Sequence, residues 1–264
     1  MSAAATTLAL EAHLRRRRAE GRRLLVIYLT GGLGEHWSDL AQAVADAGAD
    51  AIEVGIPFSD PVMDGPVIQE ASRRALAQGA TPPSILETLG RLELGVPVAV
   101  MTYYNLVAHA GTTKMALELA AAGVAGAILP DLPLDEAGPW CKDADEAGVE
   151  TVLLAAPTTP VERLRRICAR SRGFLYAVGL LGVTGERAQL ATSALEIATR
   201  AKAETDLPVL VGVGVSTPAQ AATVASVADG VVIGSAVVRR ILEGASIPEV
   251  AGFVAELRRG LDGA

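Results

Sequence analysis

Short apolar runs of strand length recur along the whole chain, at 24–29, 51–54, 96–101, 125–129, 151–155, 174–178, 208–213 and 230–233. Between them, segments 39–47, 67–78, 84–92, 114–122, 135–147, 161–170, 191–203 and 218–227 place apolar residues at helical spacing. The strands are apolar on both faces, the pattern of a parallel sheet covered by helices. Glycines mark the joints. Gly48, Gly95, Gly123 and Gly148 each stand where a helix closes before a strand and supply the positive φ of a helix C-cap. Gly123 and Gly148 are 25 residues apart, Gly48 and Gly123 are 75 apart, and this is the period of a βα unit. Eight such units predict one (β/α)8 TIM barrel of class α/β over 1–264, with an N-terminal helix and extra helices in the loops. An open doubly wound sheet usually has fewer strands.

Composition narrows the chemistry. The 264 residues are 50% hydrophobic but only 3% aromatic, so the core is built from Ala, Val, Leu and Ile. The net charge of -7 argues against nucleic-acid binding, which needs a basic face. One basic run, Arg15 to Arg18 with Arg22 and Arg23, reads as a solvated helical face before the first strand. No stretch approaches the roughly 18 apolar residues of a membrane span, and no signal-peptide core is present, so the expected location is the cytoplasm. Cys141 and Cys168 match no zinc or redox spacing and read as reduced packing residues.

In a barrel of this kind function belongs at the C-terminal ends of the strands. Glycines at Gly182-Val183-Thr184-Gly185, Gly212-Val213-Gly214 and Gly234-Ser235 follow the last three strands. Three such loops in succession, with a helix starting near Ser235, predict a phosphate cradle of backbone N–H groups. There is no Walker lysine. Glu53 ends the second strand inside an apolar run, where an ionisable group is costly unless used or paired. Asp60 and Asp64 follow it in a proline-bounded loop, and Asp131 follows the fourth strand. Each of these three is equally readable as a turn former or helix cap. Lys114, Lys142 and Lys202 all fall in predicted helices, against a Schiff-base mechanism. The histidines His13, His36 and His109 form no metal-ligand pattern, so no metal is expected. What remains is acid/base chemistry by Glu53 and a loop aspartate on a phosphorylated substrate.

The run from Ile52 to Gln69, Ile-Glu-Val-Gly-Ile-Pro-Phe-Ser-Asp-Pro-Val-Met-Asp-Gly-Pro-Val-Ile-Gln, resembles the signature segment of the tryptophan synthase alpha subunit family. Met101-Thr102-Tyr103-Tyr104-Asn105, Leu129-Pro130-Asp131-Leu132-Pro133, Gly182-Val183-Thr184-Gly185 and Gly212-Val213-Gly214-Val215-Ser216 match in order, so the resemblance covers nearly the whole chain. It implies retro-aldol cleavage of indole-3-glycerol phosphate to indole and glyceraldehyde 3-phosphate in tryptophan biosynthesis, without a cofactor in this chain. By motif position, Glu53 would be the general acid/base and Asp64 would hold the indole N–H. Tyr28, Tyr103, Leu129 and Tyr176 would line the indole slot, and Thr184, Gly185, Gly212, Val213, Gly214, Gly234 and Ser235 would hold the phosphate end. The resemblance also implies a pyridoxal-phosphate beta subunit as partner in an alpha2beta2 complex, contacted through Asp60-Pro61 and the Asn105 loop. Two loops depart from the family's commoner pattern, Gly31 to Trp37 and Gly179-Leu180-Leu181. They leave open a stand-alone lyase releasing free indole. A catalytically silent regulatory partner of a beta subunit is the third reading, against which intact Glu53 and Asp64 speak.

Overall fold

The computed structural model describes residues 8–179, 187–212 and 214–263, with the side chains of 187–192 left out. Its eight strands are β1 (Leu24–Thr30), β2 (Ala51–Gly55), β3 (Val98–Met101), β4 (Gly126–Ile128), β5 (Glu150–Ala155), β6 (Leu175–Val178), β7 (Val209–Gly212) and β8 (Gly230–Ile233). All neighbours pair in parallel and β8 closes on β1, so the sheet is a closed barrel in sequence order. The helices among the described residues are α1 (Leu10–Ala19), α2 (Trp37–Asp46), α3 (Pro66–Ala77), α4 (Pro82–Leu89), α5 (Tyr104–Ala110), α6 (Thr112–Ala121), α7 (Gly138–Ala147), α8 (Val161–Arg170), α9 (Arg187–Lys202), α10 (Pro218–Ala225), α11 (Ser235–Leu242) and α12 (Ile247–Asp262).

The apolar pattern on both strand faces is explained by two cores. Outward residues such as Leu25, Ile27, Ile52 and Val100 pack under the helices. Inward residues Leu24, Val26, Ala51, Ala99, Ile128, Val152, Tyr176, Leu210 and Val232 fill the barrel, and Leu10 and Leu14 of α1 join them. The N-terminal helix therefore plugs the N-terminal mouth of the barrel.

This placement corrects the reading of the basic run as a solvated face. Arg17 and Arg22 lie 3.3 and 2.8 Å from Oδ1 of Asp50, whose Oδ2 accepts the Leu25 N–H and faces Arg258 at 3.2 Å. Arg18 pairs at 3.3 Å with Asp229, which Lys202 also holds at 2.7 Å. Asp50 and Asp229 are buried, so these are pairs at the sheet edge that rivet the plug to β1 and β8. The positive φ expected of Gly48, Gly95, Gly123 and Gly148 is present at 109°, 70°, 72° and 76°. Gly95 closes a turn rather than a helix, because α4 already ends at Leu89. Cys141 and Cys168 are free and buried in α7 and α8.

Candidate active site

Side chains alternate across a strand, so Glu53, two residues beyond inward-facing Ala51, points into the barrel at the C-terminal end of β2. It is 1% exposed, and its Oε2 has no hydrogen-bond partner among the described residues. Burial, reinforced by the Asp64 charge, pushes its pKa from 4.5 up to about 8. The carboxyl is therefore protonated at neutral pH and poised to give up its proton.

The neighbours of Glu53 are tyrosines lying where glycines omit side chains. Tyr28 is paired with Glu53 in the β1–β2 register, and Thr30 with Gly55. A Cβ on Gly55 would stand 2.0 Å from the Tyr28 hydroxyl, and one on Gly212 would stand 2.6 Å from the Tyr176 ring. These two glycines admit the rings across the top of the barrel. Burial holds both phenols well above the usual tyrosine range, so they stay neutral donors. The Thr30 hydroxyl donates to the Tyr28 hydroxyl at 3.5 Å.

Asp64 sits in the loop between β2 and α3. It caps nothing: Gly65 is the N-cap of α3 and no side-chain cap bond is present. Its carboxyl is pushed up by burial, and the Tyr103 hydroxyl bonded to it pulls it back down. Two carboxylates with different surroundings thus stand near each other, one neutral at pH 7 and the other open to a cationic partner.

Tyr103 and Asp131 have roles that motif reading missed. Tyr103 is buried, stacks on Phe58 with ring centroids 5.0 Å apart, and accepts the Met63 N–H at 2.9 Å. It thereby joins the loop carrying Asp64 to the end of β3. Asp131 accepts the Tyr104 N–H and so caps α5, a helix 27 residues earlier in the chain. That pairing is non-local, and no sequence signal at either position announces it. Leu129 packs with the sheet–helix core, and the inward residue of β4 is Ile128.

Of the residues expected at the phosphate end, Thr184, Gly185 and Val213 lie outside the described residues. Gly212 ends β7 against Tyr176, and Gly214 has φ 69°. Gly234 is the N-cap of α11, with Ser235 its first residue. Its carbonyl accepts the Val237 N–H at 2.9 Å, while a helix start leaves the Ser235 and Ala236 N–H groups without intrahelical partners, facing outward from the helix end. An anion bound there is favoured by the helix dipole. Among the described residues no three His, Cys, Asp or Glu side chains stand close enough to hold a metal ion.

A closed parallel barrel with a buried glutamate at a strand end whose Oε2 has no partner among the described residues, a second carboxylate beside it and a helix N-terminus directly after β8 defines a class, the (β/α)8-barrel acid/base enzymes. Comparison with known proteins narrows the class to one family. Residues 14–257 match the family described as tryptophan synthase alpha chain. The tryptophan synthase alpha chain of Thermobifida fusca is 44% identical over 254 residues, covering 92% of this chain and 94% of that one. Ligand-free tryptophan synthase from M. tuberculosis superposes with a TM-score of 0.87 at 38% identity, over 96% of this chain and 98% of that one. Tryptophan synthase subunit alpha from Legionella pneumophila gives 0.87 at 31% identity, over 97% and 98% of the two chains. This chain belongs to the tryptophan synthase alpha chain family.

Proposed function

We propose that Glu53 and Asp64 carry the reaction of this family in this chain, cleavage of indole-3-glycerol phosphate to indole and glyceraldehyde 3-phosphate. The observation that carries the reading is Glu53, buried at the C-terminal end of β2, pushed up to about 8, with Oε2 unpartnered among the described residues. Glu53 gives its proton to the indole ring carbon that bears the glycerol side chain, and the ring becomes a cationic indolenine. Asp64 accepts a hydrogen bond from the indole N–H and stabilises that charge. The Glu53 carboxylate then takes the proton of the adjacent glycerol hydroxyl. The carbon–carbon bond breaks, its electron pair returns to the ring, and the aldehyde forms. Glu53 ends protonated, as it began. The ring itself receives the electron pair, so the step calls on no cofactor held by this chain.

The N-terminus of α11 with Gly212 and Gly214 supports binding of the phosphate, and Tyr28 and Tyr176 supply the walls for the indole. The partner is a tryptophan synthase beta subunit, the holder of pyridoxal phosphate. The loop that carries Asp64 offers it Val62, 82% exposed, and Met63, 38% exposed. We place the protein in the cytoplasm; among the described residues no helix is long and apolar enough to cross a membrane.

The test is indole release from indole-3-glycerol phosphate by the purified chain, with and without a beta subunit. Glu53→Gln should lower kcat at least about 100-fold, the usual range for losing a general acid/base, with little change in thermal stability at pH 5. Unchanged release would reject the mechanism. Fast release by the chain alone, with no gain from a beta subunit, would favour the stand-alone lyase.

A further inference from the structure

Side chains tie together the loops that follow β2, β3 and β4. Asp131, beyond β4, takes the Tyr104 N–H on both carboxylate oxygens, at 2.9 and 3.1 Å. Tyr104 opens α5 and Tyr103 is its N-cap, with φ -75° and ψ 142°. The bond to Asp131 therefore fixes the backbone from which the Tyr103 side chain leaves. The Tyr103 ring reaches back over the β2 loop, stacking on Phe58, and its oxygen accepts the Met63 N–H at 2.9 Å. The Tyr103 oxygen thus holds the backbone one residue before Asp64, and its hydroxyl favours the charged form of that carboxyl.

The ends of the loop are tied by the Ile56 N–H to Met101 O at 2.9 Å and by Gln69 Nε2 to Asp64 O at 2.8 Å, and its middle has little else to hold it. Residues 57–63 contain no helix or strand, and their backbone bonds run locally, Val62 N–H to Asp60 O and Asp64 N–H to Pro61 O. Among the described residues, the Met63–Tyr103 bond is the one hydrogen bond that joins 57–63 to the rest of the barrel. Phe58 and Met63 are thus fastened from the β3 side, and β3 is fastened in turn from the β4 side.

We propose that Tyr103 is a positioning residue for Asp64, and that Asp131 acts through Tyr103 to hold the 56–65 loop in its working conformation. The inference rests on the role given above to Asp64 and adds two residues that bear on it from neighbouring strands. The tie orients the Asp64 carboxylate before substrate arrives, so the indole N–H meets a fixed acceptor rather than a loop that must first be ordered.

The experiment follows the Asp64 carboxyl directly, by 13C NMR titration of aspartate-labelled full-length protein, with the signal assigned by its loss in Asp64→Asn. Tyr103→Phe keeps the ring and its stacking and removes only the hydroxyl. It should move the Asp64 titration to higher pH, because a hydroxyl that favours the charged form is gone. The acid limb of kcat/KM should move the same way, with a loss of roughly tenfold on that limb. Asp131→Ala should shift both readouts in the same direction. The double variant should match Tyr103→Phe alone, since one route cannot be cut twice. Asp131→Asn, which keeps an oxygen for the Tyr104 N–H, should stay near the wild type and serves if the alanine variant does not fold. An unmoved Asp64 titration in Tyr103→Phe overturns the proposal. Fully additive effects in the double variant overturn the part assigned to Asp131. If Asp64→Asn cleaved the substrate normally, the functional role of Asp64 would fall, while the titration would still decide whether Tyr103 positions it.

Discussion

Glu53 should make the fold pay a pH-dependent cost, and Glu53→Gln should remove it. In the unfolded chain this carboxyl loses its proton near 4.5, and in the native state near 8. Between those values the native state binds one more proton than the unfolded state, so stability falls as pH rises. The slope from this one group is about 1.4 kcal/mol per pH unit. The penalty is absent below 4.5, reaches about 3 kcal/mol at pH 7, and levels off on the order of 4–5 kcal/mol above pH 8. Glutamine keeps the shape of the neutral acid and cannot ionise, so its own effect on packing is a constant offset. Urea unfolding of wild type and Glu53→Gln from pH 5 to 9 gives the difference, in which titrating groups remote from Glu53 cancel. The gap should widen steadily in favour of the glutamine variant and flatten near pH 8. A gap that does not change with pH, or that flattens by pH 5, would show that Glu53 ionises normally and would remove the basis for its acid role.

Other outcomes follow from the same geometry. The activity of the wild type should fall above about pH 8 as Glu53 loses the proton that it donates in the proposed reaction, read as the basic limb of a pH–rate profile. Asp50→Ala leaves Arg17, Arg22 and Arg258 without their shared carboxylate and should cost about 3–5 kcal/mol in urea unfolding, with kcat at low temperature preserved. Gly55→Ala drives a methyl into the Tyr28 hydroxyl and should cost about 1–3 kcal/mol along with activity; adding Tyr28→Ala should relieve the clash and recover stability. Ser235→Asp puts a negative charge at the start of α11 and should raise KM for the phosphorylated substrate roughly tenfold or more with a smaller change in kcat, which checks the phosphate cradle by steady-state kinetics.

All eight strands were legible because the barrel buries both faces of each, which leaves uninterrupted apolar runs. The edges were less so. Strands β3 and β7 begin at Val98 and Val209, after Pro97 and Pro208, because proline has no N–H to enter a ladder. Helix α12 was overlooked although the Ser246–Glu249 capping box that starts it is a local signal. Helix α5 was out of reach, since its cap comes from Asp131 across the sheet. The same distinction runs through the site. Glu53 stands out in sequence as a charge in an apolar run, whereas Tyr103 is one aromatic among several until folding brings it onto Met63 and Asp64. The arginines of α1 were visible as charge, but their carboxylates Asp50 and Asp229 lie in other units, and only the closed barrel brings them under the plug.

The two ends of the barrel treat buried charge in opposite ways. At the N-terminal mouth, Asp50 and Asp229 are held by arginines, a lysine and backbone N–H groups. At the C-terminal mouth, Glu53 is as deeply buried and has an oxygen with no partner among the described residues. A cation placed beside it would pair with the charge and hold the pKa down, which would steady the fold and end its service as an acid at pH 7. The missing partner is therefore what tunes the group. In the proposed reaction the substrate supplies what the protein withholds, first a ring carbon to receive the proton and then a hydroxyl to return it.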